Sequence, residues 1–227
     1  MVKMLKFLRI IVVLLPFLAS AKASSNNIIV SSPQEKYFGD EDVRPSLYKL
    51  YAKEIREIET YLNSFKTFVT QFKQSNTKGE ISHGKIFVAK PGKIRCEYFN
   101  PSPILLIMKD KKVIYYDKDL DEVSYASSDI NALKLLALSD IKFNEFNLVE
   151  IEKNSHFLTL SLKEYSEELK QNLILTLKFS YPKLQLKQMS VITEDNEIDM
   201  IFDKITYNQI LGKQLFYFHR DALRNKK

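Results

Sequence analysis

Residues 87–106 read FVAKPGKIRCEYFNPSPILL, and this stretch decides the fold. Lys90-Pro91-Gly92-Lys93 is turn chemistry between two segments of alternating character. Ile94, Cys96 and Tyr98 share one side of the second segment, and Lys93, Arg95 and Glu97 share the other. A period of two with one apolar side is a strand with one buried face. Asn100-Pro101-Ser102-Pro103 then stops the strand before a further apolar run. The stretch is a β-meander whose apolar side must face a core, a partner or an apolar ligand.

Outward from this point the same grammar repeats. Candidate strands run over 79–90, 93–99, 104–109, 112–117, 121–125, 143–152, 155–163, 171–179, 183–194, 197–208 and 213–219. Asp110-Lys111, Lys118-Asp119, Lys153-Asn154, Tyr181-Pro182 and Asp195-Asn196 punctuate them, and the short connections predict an antiparallel sheet. Phe65 to Gln74 fits either period and is assigned to a strand for its β-branched and aromatic residues. Two segments are helical. Leu47, Tyr51, Ile55, Ile58 and Leu62 recur every three or four residues, with Ser46 as N-cap and Asn63-Ser64 as the stop. A shorter helix over 130–137 places Ile130, Leu133, Leu136 and Ala137 on one face behind Asp129. Few helices must cover a large apolar sheet face, so the predicted class is mainly β: an unclosed antiparallel half-barrel with amphipathic helices over an apolar cavity.

The N-terminus has the order of a secretory signal peptide. Lys3, Lys6 and Arg9 precede the apolar run Ile10 to Ala19, and Ala21-Lys22-Ala23 is an A-x-A cleavage box. Ten apolar residues are too few for a hydrocarbon core that needs about 20. The expected organisation is signal peptide 1–23, a flexible lead-in 24–45 rich in small and polar residues, and one domain over 46–227. Cleavage changes the charge balance. The chain has 34 basic and 28 acidic side chains, and residues 1–23 remove four cations and no acid, leaving 30 against 28. A net charge of +2 on a mixed surface gives no support for a nucleic-acid partner. One cysteine allows no internal disulfide, and Cys96 on the apolar side reads as a buried thiol.

Catalytic signatures are missing. The chain contains no G-x-S-x-G, H-E-x-x-H or P-loop pattern, and its five glycines cannot build a phosphate cradle. His83, His156 and His219 lie far apart without partners at metal-ligand spacing, so they read as surface or turn residues. The acidic 164–170 stretch EYSEELK reads as a solvated loop, and Tyr115-Tyr116 and Phe216-Tyr217-Phe218 as packing aromatics. No enzyme activity, metal or cofactor is expected.

The order of the pieces resembles a known family. FVTQF at 68–72, GKIFVAKPGKIRCEYFNP at 84–101 and KVIYYDKDLDEVS at 112–124 are similar to the aromatic-x-Gln, Gly-to-Arg-Pro and Tyr-Asp segments of the periplasmic outer-membrane lipoprotein carrier family, LolA. The resemblance anchors the first half of the domain. It implies a monomeric periplasmic carrier that takes acylated lipoproteins from an inner-membrane release complex, shields their acyl chains and passes them to an outer-membrane acceptor. The alternative on the same half-barrel is a sensor of amphiphiles or lipoproteins that signals to a membrane partner. Under the carrier reading Ile86, Val88, Ile94, Cys96, Tyr98, Leu133 and Leu136 line the acyl cavity. Lys90 replaces the family arginine that latches the lid and is expected to donate to carbonyls near Leu136 to Ser139. Cys96 stands where the family has a tryptophan.

Overall fold

The computed structural model describes residues 44–219, except 100, 111, 128–131 and 167–169. The signal-peptide segment and most of the lead-in therefore lie outside the described residues. Twelve strands form one antiparallel sheet. They are β1 (Thr67–Asn76), β2 (Ile81–Ala89), β3 (Lys93–Tyr98), β4 (Ile104–Lys109), β5 (Lys112–Asp117), β6 (Glu122–Ser127), β7 (Leu148–Lys153), β8 (Phe157–Ser166), β9 (Gln171–Ser180), β10 (Gln185–Ile192), β11 (Glu197–Phe202) and β12 (Thr206–Tyr207). The order across the sheet is β6-β5-β4-β3-β2-β1-β11-β10-β9-β8-β7, with β12 also on β1. β6 and β7 are the two edges and do not pair, so the sheet is an unclosed half-barrel.

Alternation sets which side chains point inward. Val88, Ile86 and Gly84 on β2 lie opposite Ile94, Cys96 and Tyr98 on β3, and opposite Phe68, Thr70 and Phe72 on β1. Gly84 is needed for close approach: a Cβ there would sit 2.4 Å from the Phe72 ring and 2.5 Å from the Glu97 carbonyl oxygen. The vacated space lets the Phe72 ring meet Tyr98 edge-on at 5.2 Å. The inward row continues through Met200, Met189, Leu177 and Leu160 on β11 to β8. These residues belong to a single buried cluster.

Helices α1 (Arg44–Leu50), α2 (Ala52–Asn63) and α3 (Ala132–Leu136) cover this concave face. The periodic run 47–62 is divided at Tyr51, where the backbone leaves helical geometry (φ −112°, ψ 27°). α1 begins at Arg44, which puts Ser46 inside the helix instead of at its cap.

Two expected strands are shorter and one is absent. Residues 143–145 form a 3-10 turn ahead of β7, and the 197–208 strand is interrupted between β11 and β12. Residues 213–216 are a 3-10 turn, not a strand. Just beyond this turn Phe218 packs on the convex face against Leu105, Ile107 and Tyr116. β4 is consequently buried on both sides, from Ile104 through Met108. β8 extends to Ser166, so Glu164 is part of a strand and not of a solvated loop. Burial raises its carboxyl pKa above the ordinary value.

Candidate functional site

The inward positions of β2 and β3 were predicted from their parity, and the structure brings them together. Ile86, Val88, Ile94 and Cys96 are fully buried and Tyr98 nearly so. Leu133 and Leu136 approach from the opposite side, on α3, and are also fully buried. The set is thus two opposed surfaces. One is the concave face of the sheet. The other is a lid formed by Ile55, Ile58 and Leu62 of α2 together with Leu133, Leu136, Ile141 and Phe143. α2 is amphipathic at the helical period, which explains why it lies across the sheet with its polar side outward.

Polar groups inside are few and mostly satisfied. The Tyr98 hydroxyl donates to Gln74 Oε1 at 2.7 Å, and burial raises its pKa. The Cys96 thiol is pushed far up by the same desolvation, so it stays protonated and unreactive. Tyr115, whose register partner on β4 is Leu106, is raised for the same reason. His83 is exposed on β2, His156 sits in the β7–β8 turn beside the Ser155 hydroxyl at 2.8 Å, and His219 stacks on Tyr217.

The margins of the lid carry polar bonds, of which sequence reading expected one, from Lys90, but with a different acceptor. Lys90, at the end of β2, reaches α2. Its Nζ donates to the Leu62 carbonyl at 2.6 Å and lies 4.6 Å above the Phe65 ring. Leu62 is in the last turn of α2, where carbonyls lack helical partners and the helix dipole is negative. Lys90 is a side-chain cap on that helix end. The expected acceptors near Leu136 to Ser139 are not used by the ammonium. That region is tied instead by backbone, the Gly92 N–H donating to the Ala137 carbonyl at 2.8 Å. Burial brings the Lys90 pKa down to about 8.

Within the lid the bonding is denser. Asn63 Nδ2 donates to the Ile141 carbonyl at 3.0 Å, and its Oδ1 accepts the Ile141 N–H at 2.9 Å. Glu59 Oε1 accepts the Phe143 N–H at 2.7 Å, and the Tyr48 hydroxyl donates to the Phe143 and Phe146 carbonyls. On the far side Tyr61 accepts the Leu186 N–H at 2.9 Å, and Glu54 pairs with Lys153 at 2.7 Å. That lysine hydrogen bond lowers the Glu54 pKa. The available signal for Lys90 was its place on the apolar side of its strand, in the position of the family arginine, while Asn63 resembled an ordinary helix stop.

The described residues thus form an open sheet whose apolar concave face is covered by a separate, polar-edged set of helices. Among the described residues no helix is long and apolar enough to cross a membrane. Residues 63–219 match the family model of the outer membrane lipoprotein carrier protein LolA, and the chain belongs to that family. It is a family of carriers, not catalysts. The chain is 26% identical over 177 residues to an uncharacterised protein of Rickettsia prowazekii, covering 76% of this chain and 81% of that one. It is 28% identical over 173 residues to an outer-membrane lipoprotein carrier protein of Coxiella burnetii, covering 71% and 81%. The crystal structure of a LolA superfamily protein from Nitrosomonas europaea aligns over 72% of this chain and 97% of that one, at 8% identity and a TM-score of 0.42.

Proposed function

We propose that the protein is exported by cleavage after Ala23 and carries lipoprotein acyl chains across the periplasm on the concave face of its half-barrel. The observation that supports this most directly is the lid: one amphipathic cover occupies the whole apolar face and is secured at its margins by hydrogen bonds that can be exchanged with water. Cargo and lid then compete for the same surface. Ile86, Val88, Ile94, Cys96 and Tyr98 receive the chains, and Leu133 and Leu136 give up their place to them. The donor is an inner-membrane release complex and the recipient an outer-membrane acceptor.

Magnitudes require such competition. Each buried CH₂ contributes about 0.8 kcal/mol, so one C16 chain fully buried is worth about 12 kcal/mol. Three would exceed any known non-covalent affinity and would never leave. Withdrawing the lid from the sheet and breaking the Lys90–Leu62 bond offset that gain. Lys90 is therefore the latch, and a softer one than arginine, because an ammonium lacks the planar fork.

The test is transfer of a radiolabelled lipoprotein from inner-membrane vesicles to the carrier and on to outer-membrane vesicles. Lys90→Arg is expected to slow uptake several-fold, and Lys90→Leu to take up cargo and retain it. Unchanged uptake and release in both variants would remove Lys90 from the mechanism. Absence of acyl-chain species in mass spectra of the protein purified from its native periplasm, together with no uptake by the wild type, would remove the carrier reading.

A further inference from the structure

The net charge of the chain conceals a strong separation. The strand registers place alternate turns at opposite ends of the sheet. At one end the β2–β3 turn carries Lys90 and Lys93, the β4–β5 turn Lys109 and Lys112, the β9–β10 turn Lys183 and the β11–β12 connection Lys204. Only Asp110 and Asp203 interrupt these connections. At the other end the β5–β6 turn carries Asp117, Asp119, Asp121 and Glu122, and the β10–β11 turn Glu194 and Asp195. Lys78, Lys118 and Lys170 are its minority charges.

The basic end has an apolar tip. Among the described residues Ile210 is completely exposed, in the loop that follows β12. Its exposure is built in, since the loop is held by three bonds to the start of β1. The Lys66 N–H donates to Asn208 Oδ1 at 2.9 Å, the Asn208 N–H to the Thr67 carbonyl at 2.8 Å, and the Thr67 hydroxyl to the Gln209 carbonyl at 2.7 Å. The lid latch is at the same end, because the Lys66 carbonyl accepts the Lys90 N–H at 2.8 Å.

From this geometry we infer that the lysine-bearing end, with Ile210 at its tip, is the face by which the protein rests on an anionic phospholipid surface. Cations spread over four turns match a field of phosphates better than a single acidic pocket. A fixed, solvated isoleucine among them is the chemistry of a residue that enters the interfacial layer. Each lysine near an anionic leaflet is worth about 1 kcal/mol, or about fivefold in partitioning, and the acidic end is repelled so that the molecule is oriented as well as attracted. Docking this way sets the latch end of the lid against the surface. The attraction acts within a Debye length and fades with salt.

The experiment is co-sedimentation of the full exported protein, without cargo, with vesicles of phosphatidylglycerol and phosphatidylethanolamine at low ionic strength, and with phosphatidylcholine vesicles as the neutral comparison. The wild type is expected to bind the anionic vesicles, to lose binding as salt rises and to ignore the neutral ones. The triple variant Lys112→Glu, Lys183→Glu, Lys204→Glu is expected to lose about a hundredfold in partitioning, and Ile210→Asp several-fold. Lys78→Glu, Lys118→Glu, Lys170→Glu changes the net charge equally at the other end and is expected to stay within about twofold. Thermal melts verify that each variant is folded. Equal loss in the two triple variants, undiminished binding by the first triple, or no binding by the wild type would overturn the inference. Wild-type binding only to protein-containing membranes, and not to the pure lipid, would assign the face to an acidic protein and overturn it too. Because no cargo is present, the outcome is independent of whether the protein carries acyl chains.

Discussion

The bonds inside the lid and those between lid and sheet differ in kind. Inside, Asn63, Glu59 and Tyr48 tie α2 and α1 to residues 141–146 through several side chains that bond backbone groups. Between lid and sheet, contact is mainly apolar, with polar bonds at the margin through Lys90, Gly92, Tyr61 and Glu54. Hydrogen bonds are directional and hold a fixed geometry, whereas apolar contact accepts any apolar substitute. Under the proposed carrier function, the difference teaches that the lid keeps its own shape while the surface beneath it can take an apolar substitute.

The largest expected effect comes from deleting apolar volume between lid and sheet. Leu62 is fully buried, and Leu62→Ala is expected to destabilise the protein by about 3 kcal/mol, read from urea unfolding. If the space beneath the lid is adaptable, an added fatty acid will restore much of that loss. Asn63→Ala comes next. It leaves the Ile141 N–H and carbonyl without their partner and is expected to cost about 2 kcal/mol. Fatty acid is not expected to restore it, and that contrast separates the two kinds of bonding. Equal rescue of both variants would erase the distinction.

The smallest effect is a slope with pH. The Lys90 pKa is depressed to about 8 by burial, below its ordinary value of 10.5. Between these values Lys90 binds more proton in the unfolded chain than in the folded one, so its contribution to stability rises with pH from about 8 toward 10. The contribution is complete above the unfolded pKa and is lost as pH falls through about 8. Lys90→Leu is expected to flatten that slope. The buried Cys96 thiol, raised from 9.0, and the buried phenols of Tyr61, Tyr98, Tyr115 and Tyr207, raised from 10.0, act in the opposite sense above those values, so the Lys90 contribution is read as the difference between the wild type and Lys90→Leu.

What the sequence disclosed follows from these physical kinds. Period-two burial is local, so Ile94, Cys96 and Tyr98 could be placed inward without knowing what they face. The helix over 47–62 was equally legible, because Leu47 on one side of the kink at Tyr51 and Ile55, Ile58 and Leu62 on the other all turn to the core. Partners distant in sequence were not legible. Lys90 bonds a carbonyl 28 residues away, and Asn63 bonds a backbone 78 residues away. Backbone acceptors carry no side-chain signature to read. Phe216-Tyr217-Phe218 misled because aromatic residues suit a strand and a surface cover alike, and only the apolar convex side of β4 decides between them.

That two-sided strand has a consequence for how the chain finds its pairing. Register is ordinarily protected because a slip by one residue turns apolar side chains to water. In β4, Ile104 to Met108 would be equally content after such a slip. The specification must come from its ends. Pro101 and Pro103 lie before the strand, and Asp110 adopts a left-handed backbone (φ 52°) in the turn that follows. Replacing Asp110 with glycine should keep that turn, whereas a β-branched residue there would disfavour it. The alignment of the most greasy strand in the molecule is thus entrusted to its least greasy neighbours.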